Sequence, residues 1–214
     1  MSRKIVRLTL DHLPHLPEHA RTCLFWELDP VRRQRITAAE AAGEKEAWVS
    51  GVLREWGSCG RVALVDDEPV GLVTYMPPAY AAGAGAFPTA PLSPDALLMT
   101  TVLVDPRHRG GGIGRMLVQG MARDLIKRGG YPVVETFGDT RGRSTHVLPA
   151  DFLAAVGFKT LRAHATTPRM RMELRSAVTW KDEVEQAVER LLGVVRPARA
   201  TRPDPAGREE SQPM

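Results

Sequence analysis

Apolar and polar residues alternate through KIVRLTL (4–10), which predicts a first strand; Pro14 and Pro17 then interrupt any regular element. Between 37 and 57 the period lengthens. Trp48, Val52 and Trp56 fall four apart on one face, and Thr37 with Glu40 forms a capping-box pattern, so this stretch predicts a helix. RVALVDD (61–67) and PVGLVTYM (69–76) read as two strands of an antiparallel hairpin joined by a tight acidic turn. The segment 77–95 is rich in Pro, Gly and Ala and predicts a functional lid or a disordered loop, not a packed element. ALLMTTVLVD (96–105) is almost continuously apolar, as expected of a strand buried on both faces. A helix over 112–128 places Ile113, Leu117, Met121 and Leu125 on one stripe and ends at Gly129-Gly130. YPVVETF (131–137) predicts the next strand, and 149–158 a short helix stopped by Gly157. Strand pieces come next around 158–164 and 168–174. A second amphipathic helix over 179–195 carries Trp180, Val184, Val188, Leu191 and Val195 on one side, and 196–214 lacks apolar anchors. The pattern predicts an α/β chain with a mixed sheet centred on the 96–137 unit. Its expected organisation is one domain over 1–175, a packed helix over 176–195 and a disordered tail over 196–214.

Composition narrows the class. With 214 residues, 43% of them hydrophobic and 25% charged, the chain has apolar material for one good-sized core. Its net charge of +4 is dispersed, and only five of the 29 basic residues are lysine. That charge gives no ground for a nucleic-acid surface. Cys23 and Cys59 form no framework and no CxxC motif, so reduced thiols in a cytoplasmic protein are expected. The N-terminus lacks the apolar run of a signal peptide, and no stretch approaches the ~20 apolar residues of a membrane span.

The chemistry concentrates in RGGGIGR (109–115), which comes after a buried strand and opens a helix. The first N–H groups of a helix have no intrahelical partners, and the macrodipole adds partial positive charge there. Glycines at 110, 111, 112 and 114 remove the Cβ atoms that would keep a diphosphate from those N–H groups, with Arg107, Arg109 and Arg115 supplying charge nearby. The GxxxxGK[ST] pattern of a nucleoside-triphosphate loop is missing. A dinucleotide-binding reading has Glu135 at a suitable distance, but Leu117 stands where the third glycine belongs.

VLVDPRHRGGGIGRMLV resembles motif A of the GNAT superfamily of N-acetyltransferases, whose R/Q-x-x-G-x-G/A pattern is matched by Arg109 to Gly114. FLAAVGF (152–158) resembles the short helix and GF turn of motif B, about forty residues on, and the order of elements agrees from about 3 to 175. The resemblance implies a mixed, mostly antiparallel sheet splayed between strands 97–104 and 131–137, with helices on both faces. It implies acetyl-CoA as co-substrate, its diphosphate held by Arg109, Gly110, Gly111, Gly112, Ile113, Gly114 and Arg115. The pantetheine would run along Val102, Leu103 and Val104, and a backbone N–H near Val102–Leu103 would face the developing oxyanion. A primary amine of a small molecule or peptide would attack the thioester directly.

The sequence departs from the family where protons move. Leu98 stands where many relatives carry a glutamate base, and Leu153 where many carry a tyrosine acid. The remaining catalytic candidates are Glu135 as base, His146 as a titrating group and Thr100 as a water holder, with Ser144 and Thr145 weaker. A catalytically weak acyl-CoA-binding module is therefore the second reading. His12, His15 and His19 have a spacing suggestive of metal ligands, but Pro14 and Pro17 break any shared helical face, so no metal is expected. Trp26, Trp48 and Trp56 suit the core or an acceptor pocket, and Cys23, with no visible histidine partner, reads as a buried thiol. A homodimer is compatible with the chain.

Overall fold

The computed structural model describes residues 2–175, so the helix expected at 176–195 and the tail at 196–214 lie outside the described residues. Eight strands form one sheet: β1 (Arg3–Arg7), β2 (Gly60–Val65), β3 (Glu68–Met76), β4 (Ala96–Val104), β5 (Val133–Asp139), β6 (Leu148–Pro149), β7 (Lys159–Arg162) and β8 (Arg169–Glu173). Their order is β1-β2-β3-β4-β5-β8-β7, with β6 added beside the end of β5. Neighbours are antiparallel except β4–β5 and β5–β6, which are parallel. The β2–β3 turn is the tight acidic one expected, with Asp66 and Asp67 both at positive φ (49° and 67°), a conformation that aspartate tolerates.

Helices cover both faces. α1 (Glu18–Thr22), α2 (Pro30–Arg33) and α3 (Ala38–Glu55) lie on one side, and α4 (Ile113–Arg128) and α5 (Ala150–Ala155) on the other. α3 begins with the expected Thr37/Glu40 capping box, but its most buried positions are Lys45, Val49 and Val52, with Trp48 and Trp56 only half-buried. α4 buries Ile113, Leu117, Met121 and Leu125 as the stripe requires, with Val118 and Ala122 beside them.

Several boundaries differ from expectation. β1 stops at Arg7, because residues 10–15 wind into a 3-10 turn; β5 runs 133–139, not 131–137. The 77–95 segment is packed, contrary to expectation: 3-10 turns at Pro78–Tyr80 and Ala82–Ala86 set it onto the α1/α3 side, burying Ala81, Ala84 and Thr89. Gly83 explains that packing, since a Cβ there would sit 2.1 Å from the Phe25 carbonyl oxygen. The small residues that suggest looseness instead permit close backbone approach. β4 is buried through Ala96–Thr100, then becomes half-buried from Thr101 to Val104.

Candidate functional site

That change in burial marks where the sheet opens. Among the described residues β4 and β5 pair at three positions, Ala96–Val133, Leu97–Val134 and Leu98–Glu135, and then diverge. On its other side β4 pairs with β3 as far as Val104, but the register slips between Thr74 and Tyr75, leaving Thr100 as the extra residue of a bulge. A bulge bends and twists its strand. Here it turns Thr101–Val104 away from β5, while Gly138 and Asp139 of β5 pair with β6. The result is a V whose β4 side offers backbone N–H and C=O groups to a ligand.

At the mouth of the V sits the glycine loop. Gly110 and Gly112 have φ of 78° and 80°, and Gly112 is the N-cap of α4. A Cβ at either would meet nothing within 4 Å, so backbone conformation and open space for a ligand, not internal packing, require glycine at these two. Gly114 differs: a Cβ there would come within 3.1 Å of the Phe152 ring of α5. Ile113 points into the core. The three arginines are tied to the protein. Arg107 pairs with Asp105 at 2.8 Å, Arg109 Nε donates to the Val104 carbonyl (3.1 Å), and Arg115 donates to the Ala155 carbonyl (3.0 Å). Arg3, from β1, adds a fourth guanidinium by donating to the Gly111 carbonyl at 2.8 Å. Nothing in the spacing of the sequence marks that residue.

Inside the V, a cavity of about 60 Å³ lies between Thr101–Leu103 of β4 and Thr145–Leu148, which lead into β6. Its far wall is His19, Cys23, Glu27 and Lys45. A larger, more open cavity of about 460 Å³, lined by Phe25, Arg33, Ile36, Thr37 and Ala41, shares Cys23 and His146 with it.

His146 is held firmly. Asp139 accepts backbone N–H bonds from Arg141, Arg143 and Ser144 at 2.7–2.8 Å, shaping the 140–147 loop. Ser144 Oγ accepts from the N–H groups of His146 and Val147, and Trp26 Nε1 donates to the His146 carbonyl at 3.0 Å. The Phe25 ring stacks on the imidazole at 4.7 Å, and the Arg33 guanidinium lies over the Phe25 ring at 4.7 Å. His146 Nδ1 lies 3.3 Å from Cys23 Sγ, and the His19 ring stacks 5.4 Å away. Burial lowers the His146 pKa, the nearby His19 lowering it further, and burial raises that of the Cys23 thiol. The sequence shows Cys23 without a partner because 123 residues separate it from the histidine it meets.

The other catalytic candidates sit elsewhere. Glu135 is fully buried, within 3.4 Å of Arg169 and 3.3 Å of Arg171, and accepts the Ser93 N–H at 3.1 Å. Thr100 is fully buried with its hydroxyl 2.7 Å from that of Thr74. Neither lines the cavity. Leu98 and Leu153 are both buried in the apolar clusters. His12 completes the capping box of its own 3-10 turn (Leu10–His15), accepting from the Thr9 N–H at 3.1 Å. Trp26 is core and cavity wall at once, Trp48 donates to the Tyr80 carbonyl, and Trp56 carries Arg128 over its ring. Glu27 and Lys45 form a buried ion pair, with Lys45 also donating to the Cys23 carbonyl at 3.1 Å. Among the described residues no helix is long and apolar enough to cross a membrane.

Solved structures share this architecture. A PaiA N-acetyltransferase from Thermoplasma acidophilum, in complex with coenzyme A, superposes with a TM-score of 0.52 at 15% identity, covering 81% of this chain and 99% of that one. The aminoglycoside acetyltransferase AAC(6')-Ib with coenzyme A gives 0.55 at 16%, covering 82% and 96%. An N-acetyltransferase from Staphylococcus aureus Mu50 gives 0.52 at 14%, covering 81% and 99%. At these identities the likeness establishes the fold. A search of curated proteins finds no match. The sequence itself matches the Acetyltransferase (GNAT) family across residues 18–147, which holds β4, the glycine loop and His146. With the family's fold around its glycine motif, the chain belongs to the GNAT acetyltransferases.

Proposed function

We propose that the protein transfers an acetyl group from acetyl-CoA to the primary amine of a small molecule or peptide. The observation that carries this reading is the V between β4 and β5, opened by the Thr100 bulge and capped by a glycine-rich helix N-terminus. The diphosphate lies against Gly110–Gly114, and the pantetheine pairs with Val102–Val104 as a missing strand would. The thioester then reaches the cavity beside Thr101–Leu103, where a backbone N–H faces the oxyanion that forms as the amine attacks. The acceptor approaches through the larger cavity, past Cys23 and His146. Holding the two reactants in line supplies much of the rate. Of the three catalytic candidates His146 stands beside the acceptor, while Glu135 is committed to two arginines and Thr100 to Thr74.

Leu98 and Leu153, both in the core, favour a second reading as a catalytically weak acyl-CoA-binding module. Steady-state release of free CoA with a panel of small amines and peptide N-termini separates the two. Turnover with any of them supports transfer; calorimetric binding of CoA with no turnover supports the module. No binding of CoA overturns both.

A further inference from the structure

The geometry points to a soft divalent cation, Zn²⁺ by its chemistry, bound by His19, Cys23 and His146 at the inner end of the acceptor route. The ligand atoms of these three side chains, a thiol sulfur and two imidazole nitrogens, lie within 4.8 Å of one another. His19 and Cys23 stand four apart and share one helical turn, the Cys23 N–H bonding to the His19 carbonyl at 3.1 Å. That spacing brings both side chains to one face. His146 arrives from the opposite wall on a loop stiffened by Asp139, Ser144 and Trp26. One thiolate and two imidazoles are a donor set for zinc and its transition-metal neighbours, and a poor one for magnesium or calcium.

A second, independent feature concerns Glu27, which lines the same cavity. Its Oε2 is buried with no hydrogen-bond partner among the described residues, although Oε1 is paired with Lys45. A buried carboxylate oxygen without a donor calls for one, and a water on the metal would supply it. Three protein ligands leave a fourth position, and the cavity running to Thr101–Leu103 lies beside the cluster to fill it. Charges facing the site are Glu27, which favours a cation, and Lys45 and Arg33, which oppose it. Loss of the Cys23 proton on binding leaves a thiolate to offset that opposition.

The role, as distinct from the binding, rests on the acetyl-transfer reading. A metal here would hold a water beside the thioester, placed to take the proton that the attacking amine gives up.

Cobalt provides the test. The untagged full-length protein is titrated with Co²⁺ and Zn²⁺ after dialysis against chelator, with visible and near-ultraviolet absorption and calorimetric stoichiometry as readouts. A single equivalent should bind with thiolate-to-cobalt charge-transfer absorption, and Zn²⁺ should displace it. Cys23→Ser should abolish the charge-transfer band, and His19→Ala and His146→Ala should each abolish stoichiometric binding. Circular dichroism would show that each variant remains folded; should His146→Ala unfold, His19→Ala, on the cavity wall, carries the test. Wild-type protein that binds no stoichiometric metal, or variants that bind as wild type does, overturn the proposal. CoA affinity, measured in parallel without metal, reports on the acetyl-transfer reading separately.

Discussion

Replacing Glu135 by glutamine separates a structural carboxylate from a catalytic one. The side chain is fully buried between Arg169 and Arg171, whose side chains are 12% and 24% exposed. Removing one partner of a fully buried pair costs roughly 3–5 kcal/mol, because the other charge is left unpaired. Here the loss is partial. Arg171 keeps Asp95 at 2.9 Å and Glu173 at 3.1 Å, Arg169 keeps the Pro91 carbonyl, and a glutamine oxygen can still accept from the Ser93 N–H. What remains is the loss of charge-assisted bonds, about 2 kcal/mol. For a chain of this size that corresponds to a fall in Tm of about 4–8 °C. Chemical denaturation monitored by circular dichroism measures the stability, and CoA release per folded molecule measures the rate. The expected outcome is lower stability with turnover within about twofold of wild type. Loss of a general base would instead slow turnover by about 10²–10⁴. Unchanged stability together with a hundredfold slower rate, at unchanged acetyl-CoA affinity, would refute the structural assignment and restore Glu135 as the base.

Gly112→Glu places a carboxylate in open space at the N-terminus of α4; the left-handed φ costs about 1–2 kcal/mol, so the fold should persist while calorimetry finds CoA affinity lost. Wild-type affinity in that variant would remove the glycine loop from the site. Thr100→Val leaves the Thr74 hydroxyl without its partner at 2.7 Å and should cost about 1–2 kcal/mol in urea unfolding, with turnover retained; a loss of rate at full stability would make Thr100 a water holder after all. Asp139 should give the 140–147 loop an acid-sensitive hold. Backbone donors, Ser144 foremost, lower its native pKa below the ordinary 3.8, so its contribution is complete above that value and disappears as pH falls through the lowered one. Hydrogen exchange of residues 141–147 should rise over that interval in wild type. In Asp139→Asn it should already be fast at neutral pH, and equal protection in the two proteins would show that the carboxylate does not hold the loop.

How much of the molecule is legible in its sequence depends on how far apart the cooperating residues lie in the chain. RGGGIGR and its helix can be read directly, because a glycine-rich turn, a helix N-terminus and a buried strand are set by neighbours in sequence. The hairpin at 66–67, the α3 capping box and the α4 stripe are legible for the same reason. The 77–95 segment misleads: its Gly and Ala suggest looseness until Gly83 is seen against the Phe25 carbonyl. The splay of the sheet is implied by family resemblance, but its local cause, a bulge at Thr100, is a property of how β3 and β4 pair. Glu135 is a candidate base from its place in the strand flanking the cofactor, and only the packing of β8 sets Arg169 and Arg171 against it. Cys23 and His146 come together only because α1 and the loop before β6 close on the same cavity. Local chemistry is written in adjacent residues, whereas burial and long-range pairing exist only once the chain has closed on itself.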